Sequence, residues 1–255
     1  PKNEVLSLEE IERLCDNFIE LGVEKIRLTG GEPLVRKDLI HLIRNLNKKK
    51  ANTNLKEITL TTNGSLLKKY AKELKDNGIN RINVSLDTIV KDKYKEITRF
   101  GNLDNVFDGI DEALKNDIKI KINTVVFKNF NENQMTNLID WANSKFLDLT
   151  FIEVMPMSDT DMPRHMQFVS LDKIYKKLNG IYKFNQSDYK TGGPSNYYTS
   201  KKLNIKIGFI TPMSNNFCAT CNRVRISSTG KLYMCLGQND FVDFREILRS
   251  DRGDN

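Results

Sequence analysis

An α/β fold of alternating strands and helices, arranged as an incomplete βα barrel, is what this sequence predicts, and three observations predict it. Five strand-like segments alternate with helical ones at roughly 25–35 residues per unit, as parallel βαβ units require. Glycine or polar punctuation closes each strand: Gly30–Gly31–Glu32, Thr61–Thr62–Asn63–Gly64, Ser85–Leu86–Asp87, Asn123 and Glu153. Barrels draw functional groups from many strand ends, whereas open doubly wound sheets collect them at one switch point. The dinucleotide fingerprint G-x-G-x-x-G is absent.

The elements follow in order. Ser7-Leu8-Glu9-Glu10 is a capping box, and Leu8, Ile11, Leu14, Cys15, Phe18 and Leu21 continue at helical spacing until Gly22. Cys15 lies on that apolar face and reads as a core residue. A strand spans 24–29, a helix 37–48, a strand 56–61, and a helix 66–76 that stops at Gly78. A strand at 80–86, a helix at 103–116, a strand at 118–126, a helix at 132–146 and a strand at 148–154 complete the alternation. Residues 157–200 are rich in Gly, Pro, Ser and Asp and read as loops around a short helix at 170–179; a last strand at 203–210 precedes the cysteines. The expected division is a barrel over 1–156 and a C-terminal extension over 157–255.

Composition narrows the function. The chain has 255 residues, 39% apolar and 29% charged, enough for a sizeable core and too balanced for disorder. No run of eighteen apolar residues exists, and PKNEVLSLEE lacks the pattern of a signal peptide, so a cytoplasmic protein with no membrane partner is expected. The missing initiator Met is compatible with a trimmed chain. The net charge of +7 is spread out. Lys48–Lys49–Lys50 and the other lysine pairs read as solvated, which disfavours nucleic acid and favours a phosphorylated small molecule.

Cys218, Cys221 and Cys235 form C-x2-C-x13-C, with the Ser-Thr-Gly turn of RISSTGKLYMC folding the third cysteine back towards the pair. Without a secretory signal, a metal site is the better reading than a disulfide. Zinc would need a fourth ligand, for which His165 is the weak candidate and His41 reads as structural or exposed; a four-iron cluster would keep one iron open. Spacing alone does not choose between them. Arg223 and Arg225 stand two apart, so an extended segment points both guanidinium groups to one side, where they suit phosphate oxygens. Lys25 and Arg27 share a strand face, as do Lys121 and Asn123; inside a barrel an anionic ligand would offset the burial of such charges. Glycines at 30 and 31 allow close backbone approach to a ligand, and Glu32 offers a carboxylate to an ammonium group.

The ordered set IRLTGGEPLVRKDL, LTTNG, INVSLD, FIEVMP and FCATCNRVRISSTGKLYMC resembles the GTP 3',8-cyclase family, radical S-adenosylmethionine (SAM) enzymes of molybdenum-cofactor biosynthesis, over nearly the whole chain. GGEP is shared among radical SAM enzymes; C-x2-C-N-R-x-R followed by the last cysteine is much more specific. The resemblance implies a partial (βα)6 barrel closed by a C-terminal extension. It implies that Gly31, Ser85 and Met155 contact SAM, and that Cys218, Cys221 and Cys235 bind an auxiliary [4Fe–4S] cluster whose open iron takes guanine. Arg27, Thr61, Lys121, Arg223 and Arg225 are implied to hold GTP, with Lys25 a further candidate. The implied reaction is a lyase reaction in which a deoxyadenosyl radical takes the ribose C3' hydrogen and C3' attacks guanine C8. The electron donor is left open, and a second copy of the chain is carried as a candidate partner.

Two departures from the family pattern stand out. C-x3-C-x2-C, which in the family binds the SAM-cleaving cluster after a first strand, does not occur in the chain. The expectation is a fragment, inactive as it stands, whose full-length form carries that first strand and a second [4Fe–4S] cluster. Thr150 stands where the family commonly has Arg. The rival readings are another radical SAM enzyme with an auxiliary cluster and a zinc-binding structural module.

Overall fold

The computed structural model describes residues 4–155, 167–215, 221–235 and 240–250. In chain order the elements are α1 (Leu8–Glu20), β1 (Lys25–Leu28), a 3-10 turn (Pro33–Val35), α2 (Leu39–Lys49), β2 (Glu57–Thr62), α3 (Leu67–Asp76), β3 (Arg81–Ser85) and α4 (Lys91–Thr98). Then come α5 (Leu103–Lys115), β4 (Lys119–Val126), α6 (Met135–Ser144), β5 (Asp148–Glu153), α7 (Leu171–Tyr182), β6 (Asn185–Ser187), β7 (Asn196–Thr199) and β8 (Ile207–Ile210). The chain closes with β9 (Arg225–Ile226), β10 (Lys231–Tyr233), β11 (Phe241–Asp243) and α8 (Phe244–Arg249). The backbone divides into two compact units: Pro1–Thr61 with Lys72–Asn80 and Asn222–Asn255, and Thr62–Ala71 with Arg81–Cys221.

In the first unit, the Ser7 hydroxyl accepts from the Glu10 N–H (3.1 Å) and Glu10 Oε2 accepts from the Ser7 N–H (2.7 Å), so α1 starts where its capping box predicts. Cys15 is half-buried, and burial, with the Asp16 and Glu12 carboxylates adding to it, pushes its thiol up to about 12. Its thiol is thus inert, but it lies at the margin of the core and not within it as the apolar face predicts. Leu42, Ile43 and Leu46 of α2 are buried, each contributing about 1.5–3 kcal/mol through lost apolar exposure. Lys49 corrects the reading of its lysine run as solvated: its ammonium pairs with Asp16 (2.5 Å) and Glu12 (3.4 Å) across to α1. Strands β1 and β2 run parallel, with Ile26 beside Ile58 and Leu28 beside Leu60.

The C-terminal elements complete this unit. Strands β9, β10 and β11 form an antiparallel sheet around the turn at Ser227–Gly230. Its chain is stitched to the N-terminus: the Leu6 N–H donates to Ser228 O (2.8 Å), Phe18 meets Phe244 edge-on at 6.0 Å, and Arg249 donates twice to Glu10 (2.6 and 3.0 Å).

The second unit is a sheet in the order β3-β4-β5-β8-β7-β6, parallel through β8 and antiparallel beyond it. Ile82, Val84, Ile120, Ile122, Leu149, Phe151, Ile207 and Phe209 are buried and share one face by the alternation of strands. On that face the rings of Tyr175 from α7, Tyr198 and Phe209 meet at 5.0–5.6 Å. Helix α5 packs close: a Cβ on Gly109 would stand 2.5 Å from Gly64 O, so only glycine lets α5 reach the turn that ends β2.

The loop-like reading of 157–200 is corrected here. β6 and β7 lie within that span, and α7 runs to Tyr182 rather than 179. Helix α4 and the terminal α8 are further elements the pattern did not announce. None of the described helices is long and apolar enough to cross a membrane.

Candidate functional site

Strand register, not helix packing, assembles the candidate site. In the second unit Asn83 pairs with Lys121, Ser85 with Asn123, Asn123 with Thr150, Thr150 with Gly208, and Gly208 with Tyr197. Paired residues project to the same side of a sheet. The face opposite the apolar one therefore carries Asn83, Ser85, Lys121, Asn123, Thr150, Ser195 and Tyr197. Most of this polar face is covered, with Asn83 and Thr150 0% exposed, Tyr197 1%, Lys121 7% and Ser195 8%, while Asn123 is half-buried and Ser85 opens to solvent. Buried polar groups are expensive unless they are paired or serve a ligand.

Lys121 Nζ donates to Tyr197 Oη at 3.3 Å, and Thr191 Oγ1 lies 3.2 Å from the same oxygen. Burial by itself raises the Tyr197 phenol, but the Lys121 ammonium, with hydrogen bonds to Thr191 and Lys121, outweighs it and holds the phenol below its ordinary value. The Asn123 Oδ1 and Ser195 Oγ atoms are buried without a hydrogen-bond partner.

At the end of β5 Glu153 is 1% exposed. Its carboxylate accepts from the Leu171, Met213 and Ser214 N–H groups (3.1, 3.0 and 3.0 Å) and from the Ser214 hydroxyl. Asp87 at the end of β3 accepts from the Val125 N–H at 2.8 Å. These strand-end carboxylates thus pin local backbone. Ser85 is exposed and Met155 half-buried.

In the first unit Arg27 stands beside Thr59 in the β1–β2 ladder, and Thr61 lies two further on the same face. Arg27 is exposed, Thr61 half-buried, and Lys25 pairs with Glu57 at 2.7 Å. In the turn after β1, Gly30 has φ +139° and nothing lies within 4 Å of a Cβ built on Gly31, so a ligand has open access to that backbone. Glu32 Oε1 accepts from the Leu34 N–H at 3.0 Å, so one carboxylate oxygen caps the turn.

Arg223 and Arg225 are half-buried while Val224 and Ile226 are exposed, as the shared-side reading predicts. Arg225 faces Tyr233 across β9–β10, and the register continued two residues sets Arg223 opposite Cys235. Cys235 is half-buried and Cys221 exposed. Cys218 and His165 lie outside the described residues, and among the described residues no group of three His, Cys, Asp or Glu side chains is placed to hold a metal. His41 is exposed, beside Asn45 at 3.2 Å. Taken singly, Cys221 and Cys235 each offer a thiol, a soft donor of the kind iron–sulfur centres use.

Sequence reasoning missed Tyr197, Ser195, Gly208 and Asn83. The signal was the polar alternation Asn83-x-Ser85 and Ser195-x-Tyr197 within β-prone stretches.

Known proteins share the fold and the sequence. The fold is shared with Streptococcus suis SuiB bound to S-adenosylmethionine (TM-score 0.70, 17% identity, 97% of this chain and 57% of that one). It is shared also with anSMEcpe with bound AdoMet (TM-score 0.65, 16% identity, 96% and 72%). The chain thus spans little more than half of SuiB. Residues 1–142 match the Radical SAM superfamily and residues 147–255 match Molybdenum Cofactor Synthesis C. The GTP 3',8-cyclase of Brucella ovis is 50% identical over 254 residues, covering 100% of this chain and 74% of the relative. That of Mesorhizobium japonicum is 49% identical over 253 residues, covering 99% and 76%. With identity of that order over essentially the whole chain, the chain belongs to the GTP 3',8-cyclase family of radical SAM enzymes.

Proposed function

We propose that this chain binds GTP for conversion to (8S)-3',8-cyclo-7,8-dihydroguanosine 5'-triphosphate, a lyase reaction of molybdenum-cofactor synthesis. The observation that carries the reading is the buried polar face around Lys121: a soluble core has no need of an ammonium and several amides and hydroxyls at 0–8% exposure unless they serve a ligand.

In this reading the strands belong to a partial (βα)6 barrel, with the C-terminal extension carrying an auxiliary [4Fe–4S] site on Cys218, Cys221 and Cys235. Arg27, Thr61, Lys121, Arg223 and Arg225 hold GTP. The arginines offer planar donor forks to phosphate oxygens, and Lys121 a single ammonium. Gly31, Ser85 and Met155 receive SAM, the backbone at Gly31 approaching its amino-acid end. The radical for the ribose C3' hydrogen would come from SAM at a cluster held by a C-x3-C-x2-C motif, which does not occur in this sequence, so the chain as given is expected to be inactive; the auxiliary cluster, when bound, would offer an open iron for guanine. The protein's own work is to hold C3' near C8, to exclude water, and to spread the triphosphate charge over fixed cations.

Anaerobic reconstitution tests the cluster: about one four-iron cluster per chain is expected from three thiolates, and Cys235→Ala should lower the iron. Unchanged iron, or one zinc without sulfide, removes Cys235 from the ligand set. Equilibrium GTP binding tests the arginines. Arg223→Ala and Arg225→Ala should each cost about 1.5–3 kcal/mol. The exposed Lys201 serves as control, and an equal loss for Lys201→Ala would reduce the effect to bulk charge.

A further inference from the structure

We propose that Tyr197 is the positioning residue for Lys121: its phenol oxygen holds the Lys121 ammonium at a fixed point on the polar face, poised for the anionic substrate. The proposal rests on the reading of Lys121 as a GTP contact. An ammonium at 7% exposure has given up most of its hydration and needs acceptors that fix where it points. The phenol oxygen at 3.3 Å is such an acceptor, held on a rigid ring and bringing no second full charge out of water. Tyr197 is itself fixed. Its hydroxyl lies 3.2 Å from Thr191 Oγ1, its ring meets Tyr189 at 5.1 Å, and it is 1% exposed.

Its place in the register makes this possible. Tyr197 lies opposite Gly208, which in turn lies opposite Thr150. A Cβ on Gly208 would stand 3.0 Å from Tyr197 Cε1 and 2.8 Å from Thr150 Oγ1, and closer still to Ser195 Oγ. The space a side chain would fill at 208 is thus the space through which the phenol reaches across two strands to β4. Thr150, a short side chain at the middle of the row, keeps that path open.

The test is a double-mutant cycle read by GTP binding to the reconstituted protein. Tyr197→Phe keeps the ring and loses the oxygen; it should weaken GTP binding about tenfold, a loss of one charge-assisted contact. Lys121→Ala should weaken it at least as much, and adding Tyr197→Phe to it should change affinity by less than about twofold, since a positioning residue has nothing left to position. A spectroscopic readout separates this from packing. The tyrosinate absorbance of wild type minus Tyr197→Phe should titrate below an ordinary phenol, and in the Lys121→Ala background above it. If Tyr197→Phe unfolds the chain, Thr191→Val, which removes only the second hydrogen bond, should weaken binding about threefold with the same dependence on Lys121. A Tyr197→Phe loss that persists undiminished in the Lys121→Ala background overturns the proposal, as does unchanged binding in Tyr197→Phe. If Lys121→Ala abolishes the tyrosinate shift yet leaves GTP affinity intact, the pair exists but the substrate reading of Lys121 fails, and the positioning role with it.

Discussion

Glu153 and Glu10 each fasten a late segment of the chain onto an element formed much earlier, but they do so in opposite surroundings. Glu153 is 1% exposed and binds three backbone N–H groups and a serine hydroxyl, tying β5 to the start of α7 and to Met213–Ser214 within the second unit. Glu10, half-buried in the first turn of α1, binds the guanidinium of the exposed Arg249, 239 residues away, within the first unit. A buried carboxylate is tolerated only when its oxygens are fully supplied, and backbone donors supply it without bringing a second charge out of water. A half-buried carboxylate keeps part of its hydration, and a pair with an exposed, screened guanidinium gains it little. The same residue type is thus an indispensable joint in one place and a trimmable clasp in the other.

The largest effect that can break this contrast is Glu153→Ala. It strands three backbone donors in a buried site, and the expected loss is about 3–5 kcal/mol in denaturant unfolding. Glu153→Gln, which keeps one acceptor oxygen, should lose less. Equal midpoints for Glu153→Ala and wild type would show that water reaches the site and that its burial does not govern its energetics.

Where the sequence was legible, the determinants were local. The capping box, the helical apolar spacing of α1 and α2, and the strand–turn punctuation each lie within one turn or one strand, so α1 begins at Leu8 and β4 ends at Val126 as read. Helix α4 escaped because it buries only Tyr94 and so has no apolar stripe to read. Strand β7 escaped because SNYYT sits beside Gly192–Gly193–Pro194, whose turn signal dominates the window. The same division holds for the candidate site. Cys221, Cys235, Arg223 and Arg225 announce themselves by spacing, and Lys121 by its place in a strand. The row from Asn123 through Thr150 and Gly208 to Tyr197 joins four strands, three parallel and the last antiparallel to them, and only register reveals it. Lys49 failed as a solvated lysine because its partners, Glu12 and Asp16, lie on another helix.

A middle-sized effect sharpens the comparison at the exposed end. Ser7→Ala removes the hydroxyl that accepts from the Glu10 N–H and should cost about 1 kcal/mol in thermal or denaturant unfolding. Serine-to-glycine at the same position should cost only a few tenths. A Ser7→Ala loss as large as that of Glu153→Ala would mean that α1, and not the buried joint, limits the stability of the chain.

The smallest effect is the one with the most distinctive dependence on conditions. Glu10 is held below the usual carboxylate range first by its hydrogen bond from Arg249, then, against the opposing effect of burial, by the Ser7 N–H. A carboxyl whose pKa is lower folded than unfolded stabilises the fold fully above its unfolded value, and that contribution is lost as pH falls through the folded one. Glu10→Gln should therefore melt slightly below wild type at neutral pH. The two curves should converge as pH drops through and below the ordinary carboxylate range. Raising the salt at neutral pH should also narrow the gap, because the pair is exposed and screened. Glu153→Gln should show no such salt dependence. If the Glu10→Gln difference holds constant with both pH and salt, the carboxylate acts through packing of its stem, and the contrast between clasp and joint collapses into one of burial alone.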